Sequence, residues 1–273
     1  MIPALVAGLC DDAAVFPPGN ASLPDAVRAY RERAGEWYAG MVGPLVLPAD
    51  ALARLGELLP PDGPRLPVSV TLPGGPAGLP GVLTAAAELP VELRSVEVAL
   101  PESASPDEID APEGLDVYVE VPRDARRAEV LEALTGRYRA KFRTGGVRAD
   151  LYPEETELAE SIAAVVAAGV PFKATAGLHH AVRNTDPETG FEQHGFLNLL
   201  LATDALLTGG TTARARELLS ERDGTEVARL VGELDDDRVR ATRAAFLSFG
   251  TCSIGEPLAE LVELGVLREG VPA

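Results

Sequence analysis

"RAKFRTGG" (139–146), "EETELAESIAAVVAAG" (154–169) and "PFKATAG" (171–177) follow one another closely and read as strand, helix, strand. In the middle segment Leu158, Ile162, Val165 and Val166 fall at i, i+4, i+7 and i+8, the apolar stripe of a helix that packs on a sheet. Gly169 supplies the usual helix stop, and an apolar run resumes at once. Strand, helix and strand in that order imply a right-handed βαβ unit with parallel strands.

The alternation extends upstream. "VGPLVLP" (42–48), "LPVSVTLP" (66–73), "SVEVALP" (95–101) and "LDVYVEVP" (115–122) read as four more strands, with helical patterns between most of them. A seventh is "AFLSFGTCS" (245–253), whereas Phe191 to Arg243 reads as helical and shows no eighth. Most of these strands alternate polar with apolar residues. A doubly wound sheet, covered on both faces, reads instead as near-continuous apolar runs. A closed barrel has one face against helices and one towards an interior where polar groups can line a site. The 273 residues suit the roughly 250 of a typical (β/α)8 barrel. The expected fold is therefore α/β, a TIM-like (β/α)8 barrel with one strand irregular or missing. It forms a single domain over 1–273, with a helix over about 22–39, capped by Ser22, closing the bottom.

Composition narrows the function. The formal charge of −18 repels nucleic acid phosphates and anionic lipid, so neither is an expected partner. No run reaches the roughly 18 apolar residues that cross a bilayer. "MIPALVAGLC" (1–10) lacks the basic start of a secretory signal. Two cysteines make no disulfide framework, which favours a reducing compartment and a cytoplasmic location. No cofactor and no metal are assigned; the expected partner is a small anionic metabolite.

Of the 24 basic residues 22 are arginines, and the two lysines, Lys141 and Lys173, both lie in the opening segments. A period of two sends Ala140, Phe142, Phe172 and Ala174 outward, leaving Lys141, Arg143, Lys173 and Thr175 inside. Ser69, Thr71, Glu97, Tyr118 and Glu120 occupy the same interior phase of earlier strands. Arginine stays protonated, whereas lysine can be deprotonated by its surroundings and serve as an amine nucleophile. Lysines on strands about 4.8 Å apart repel by about 3 kcal/mol at an effective dielectric near 20. That lowers a pKa of about 10.4 towards 8, with Glu120 offsetting part of the shift.

His179, His180 and His194 follow the "KATAG" strand, at the mouth where barrel enzymes do their chemistry. They suit proton transfer or, as an alternative, metal ligation. Arg143, Thr144, Gly145 and Gly146 can cradle a phosphate or carboxylate. Ser253, in a second mouth loop, adds a donor, while Cys252 has no basic neighbour assignable from sequence.

The pair of barrel lysines on neighbouring strands resembles the class I aldolases, deoxyribose-phosphate aldolase in particular, over Asp116 to Gly177. That resemblance implies a Schiff base on Lys173 or Lys141, with the other lysine as tuner and Glu120 as acid. Type I dehydroquinate dehydratases are similar in joining a Schiff-base lysine to histidine. "KFRTGG", "PFKATAGLHH", "HGFLN" and "FGTCSIGEP" resemble the fixed points of a barrel family to which no activity attaches. The leading expectation is a lyase or aldolase-type enzyme acting on a small anionic carbonyl compound, with Lys173 as nucleophile and Lys141 as tuner. Glu120 and His179 or His180 then carry protons. The alternatives are a metal-dependent hydrolase or isomerase using His179, His180 and His194 with Glu192, and a non-catalytic binder of a phosphorylated metabolite.

Overall fold

The computed structural model describes residues 2–270. Eight parallel strands close into one barrel: β1 (Cys10–Asp12), β2 (Val42–Pro48), β3 (Leu66–Leu72), β4 (Val91–Val98), β5 (Asp116–Glu120), β6 (Arg139–Arg143), β7 (Phe172–Thr175) and β8 (Phe246–Thr251). Each strand pairs with its chain neighbours, and β8 closes the ring on β1. The chain is a (β/α)8 TIM-like barrel. Seven strands fall where the alternation predicts them. The eighth is β1 at the N-terminal end of the chain, a three-residue strand of sequence CDD.

The crossovers are α1 (Leu23–Arg33), α2 (Leu52–Leu55), α3 (Leu79–Glu88), α4 (Arg127–Leu134) and α5 (Glu155–Ala168). Four more, α6 (Phe196–Leu207), α7 (Thr212–Ser220), α8 (Gly224–Gly232) and α9 (Asp236–Ala245), fill the long connection from β7 to β8. A tenth, α10 (Gly255–Glu263), follows β8. Helix α1 corrects one expectation. Ser22 caps it as predicted, accepting from Asp25 N at 3.3 Å, but it ends at Arg33 and serves as the β1–β2 crossover. It reaches the barrel through Tyr30, whose hydroxyl donates to Gly43 O at 2.9 Å. Among the described residues no helix is long and apolar enough to cross a membrane.

The apolar core lies between strands and helices. Val117, Val119, Ala140, Phe142, Phe172 and Ala174 are all buried there, on the outward phase. Phe172 packs between Phe142 and Phe246, with ring centroids 5.5 and 5.1 Å away, and burying each ring contributes about 1.5–3 kcal/mol. The inward phase is polar: Asp11, Ser69, Ser95, Glu97, Lys141, Lys173 and Ser248 are all buried inside the ring. A barrel closed on so many ionisable groups keeps them only if they satisfy one another.

Candidate active site

The inward ionic groups form one row. Lys173 Nζ donates to Asp11 Oδ2 at 2.5 Å and to Glu97 Oε1 at 2.6 Å. Lys141 Nζ lies 2.9 Å from the other Glu97 oxygen, Oε2, and 3.2 Å from Glu120 Oε2. Arg143 Nε donates to Glu120 Oε1 at 2.9 Å. Acid and base alternate, Asp11, Lys173, Glu97, Lys141, Glu120, Arg143, so the row is formally neutral. Its geometry follows from strand register, which sets Glu120 beside Lys141 and Lys141 beside Lys173. Two hydroxyls complete it: Ser248 donates to Asp11 at 2.8 Å and Ser69 to Glu97 at 3.1 Å.

The row meets a cavity of about 530 Å³ at the C-terminal mouth of the barrel. Glu97, Glu120, Lys141, Arg143 and Thr175 are among its polar lining, and Phe16, Pro17, Val46 and Leu151 are among its apolar walls. Lys173 does not line it. That lysine is 1% exposed, shut beneath Glu97, with the Tyr118 ring centroid 5.2 Å from its ammonium.

This arrangement reverses the expected electrostatics of Lys173. Burial by itself would draw its pKa down, but Asp11, Glu97 and Tyr118 outweigh burial and hold the ammonium charged well above the usual lysine range. Glu97 behaves in the complementary way. Burial favours its neutral form, and the two lysines overcome this, keeping its pKa well below the usual carboxylate range. At Asp11 burial outweighs the single ammonium and the pKa rises. The Lys173 ammonium has two carboxylate partners, whereas Asp11 has one cation. Repulsion from Lys141 is thus overcome by carboxylates, one of which stands on β1, a strand the periodicity does not reveal. Lys173 as resting nucleophile is corrected: the amine that reaches the cavity is Lys141.

The histidines separate. His179 lines the cavity. His180 turns to Glu260, with Nδ1 2.5 Å from Oε1, and that contact outweighs burial to raise its pKa. His194 is fully buried elsewhere: Nε2 donates to Pro153 O at 2.7 Å, Arg183 stands 3.2 Å from Nδ1, and burial lowers its pKa to about 4. Among the described residues no group of three or more His, Cys, Asp or Glu side chains is placed to hold a metal ion. The three histidines do not converge, so they do not form the expected cluster.

The loop after β6 also differs from expectation. Thr144 donates its hydroxyl to Ala176 O at 2.8 Å, tying the β6 and β7 loops together. Gly145 is needed for close approach: a Cβ there would stand 2.8 Å from Gly177 Cα and 2.6 Å from Tyr152 Cε1. Ser253 accepts from Glu256 N at 3.3 Å, in the first turn of α10. Of the expected anion cradle, Arg143 and Gly146 line the cavity. At its lip Ala176 holds a φ of +65°, a left-handed conformation that costs a non-glycine residue about 1 kcal/mol. Strain of this kind is concentrated at functional sites. Compared with known protein families and with curated proteins, the chain matches none.

Proposed function

We propose that the mouth cavity is the active site of a lyase or aldolase-type enzyme that binds a small anionic carbonyl compound and forms a Schiff base on Lys141. One observation carries the reading: the Lys141 amine stands on the cavity floor between two carboxylates, Glu97 at 2.9 Å and Glu120 at 3.2 Å. The two carboxylates have different work. Glu97, kept ionised by Lys173 behind it, accompanies the positive charge of an ammonium or an iminium alike. Glu120 is the proton acceptor. Burial raises its pKa, but Lys141 and Arg143 outweigh burial and lower it. A substrate carboxylate or phosphate that takes Arg143 removes one of those two cations. Glu120 then holds a proton more readily, Lys141 can give one up, and the free amine adds to the carbonyl carbon while one of its own protons passes to the oxygen. Glu120 returns its proton to that hydroxyl, which leaves as water and gives the protonated Schiff base. The apolar walls fit a short carbon chain. A cytoplasmic site of action belongs to the same reading, since Cys10 and Cys252 are both free thiols.

The test is borohydride reduction of the protein with a panel of small carbonyl acids and phosphorylated aldehydes, followed by peptide mass mapping. The adduct is expected on Lys141 and to vanish in Lys141→Arg, which keeps the charge and removes the nucleophile. Adducts confined to Lys173, or no adduct with a compound proven to bind, would refute the covalent reading.

A further inference from the structure

The cavity wall carries a second set of reactive groups that the lysine reading does not use. Cys252 and His179 both line the cavity, on loops that follow the neighbouring strands β8 and β7. The Cys252 sulfur lies 3.8 Å from His179 Nδ1 and 4.0 Å from Nε2. The nitrogen nearer the sulfur, His179 Nδ1, is also 3.0 Å from Glu256 Oε2. A carboxylate at Nδ1 favours the tautomer with its proton there, which leaves Nε2 as a base. The sulfur is nearly equidistant from the two ring nitrogens, so a modest turn of the imidazole aims Nε2 at the thiol. Glu256 is half exposed and free to follow. The loop after β1 covers the thiol from behind. Gly19 sits so close that a Cβ there would fall 2.9 Å from Cys252 Cβ and 2.8 Å from Ala14 O. Cys252 is half-buried and lines the cavity.

We propose that Cys252, His179 and Glu256 form a second reactive centre, a base-assisted thiol that adds reversibly to the electrophilic carbon of a small aldehyde. His179 Nε2 takes the thiol proton as the sulfur–carbon bond forms. The carbonyl π pair moves to oxygen, which then receives that proton from the imidazolium. The product is a thiohemiacetal, and no oxidant, reductant or leaving group is needed. Burial, with Glu256 and Asp12 adding to it, pushes the Cys252 pKa up. The resting group is therefore a thiol that depends on its base. Cys10 offers no competing site: it is fully buried and its pKa is pushed up further still.

The centre is independent of the amine, so its test is separable from the lysine test. Native protein is treated with iodoacetamide at pH 7 and the modified peptide identified by mass. Modification of Cys252 alone is expected, slowed at least tenfold in His179→Gln. His179→Asn repeats the measurement if the first variant unfolds early. Propanal is expected to protect Cys252 from iodoacetamide in the wild type and in Lys141→Arg. A rate unmoved by either His179 variant would overturn the base. Absence of propanal protection in Lys141→Arg would overturn the aldehyde assignment.

Discussion

Replacing Glu97 by glutamine tests the ionic row at its centre. Glu97 is 2% exposed and, among the described residues, is the single carboxylate that touches both lysines, one on each oxygen. Glutamine keeps the shape and can accept from Ser69, but it removes the charge that separates the two ammonium groups. Two such groups about 5 Å apart repel by about 3 kcal/mol at an effective dielectric near 20. Breaking a buried ion pair from one side costs about 3–5 kcal/mol by the same physics. For a domain of this size that corresponds to a Tm lower by roughly 10 °C. The pH dependence adds a second signature. In the wild type Glu97 has a pKa lowered from 4.5, so its contribution is complete above that pH and lost only in strong acid. Lys173 has a pKa raised from 10.5, so its contribution is complete below that pH and lost only in strong base. Neither group tilts the wild-type curve between about pH 5 and 10. In Glu97→Gln, Lys173 keeps Asp11 alone against its burial and the neighbouring ammonium, so it holds its proton less tightly than in the unfolded chain and stability climbs as pH rises towards 10. Thermal unfolding followed by circular dichroism at pH 7 and pH 9.5 measures both effects. A Tm within about 2 °C of wild type, or a loss that does not shrink at the higher pH, would refute the reasoning.

Two other predictions concern the frame of the site. His194 has a pKa lowered from 6.5 to about 4 by burial, so it stabilises the fold fully above pH 6.5 and progressively less as the pH falls towards 4. That is about 3 kcal/mol of acid sensitivity. His194→Gln should flatten the stability profile over that window in denaturant titrations, and an unchanged slope would contradict the assignment. Gly145→Ala should destabilise by about 1–3 kcal/mol, because its Cβ meets the Gly177 backbone and the Tyr152 ring at under 3 Å. Chemical denaturation checks this, and a neutral result would show that the β6 and β7 loops can separate freely.

The strands most visible in the sequence are those that border two different media. In β5, Val117 and Val119 pack outward while Tyr118 and Glu120 face the interior, and the same rule places Lys141, Lys173 and Glu97 in their observed phases. The three residues of β1 carry no such signal. Two are aspartates of opposite phase: Asp11 turns inward to Lys173, and Asp12 is 2.5 Å from Arg33 of α1. Only the ring, with β2 on one side and β8 on the other, makes that segment a strand. Missing it removes Asp11 from the account and reverses the direction of the Lys173 shift. The histidines show the same limit in a different form. Position after a strand locates a loop at the mouth, but period-two reasoning has no purchase on loops. It could not separate His179 from His180, bound to Glu260, or from His194 beneath Arg183.

With two lysines in the chain, a sample labelled with ¹⁵N at lysine Nζ has just two side-chain resonances, and Lys141→Arg assigns them. The Lys173 signal is predicted to remain that of an ammonium, exchanging slowly with water, from neutral pH to beyond 10.5, and to be little moved by ligands. The Lys141 signal is predicted to shift on adding a carbonyl compound that protects the cavity. A Lys173 resonance that titrates near pH 8, or that takes the larger shift with ligand, would contradict the division of labour between the two amines.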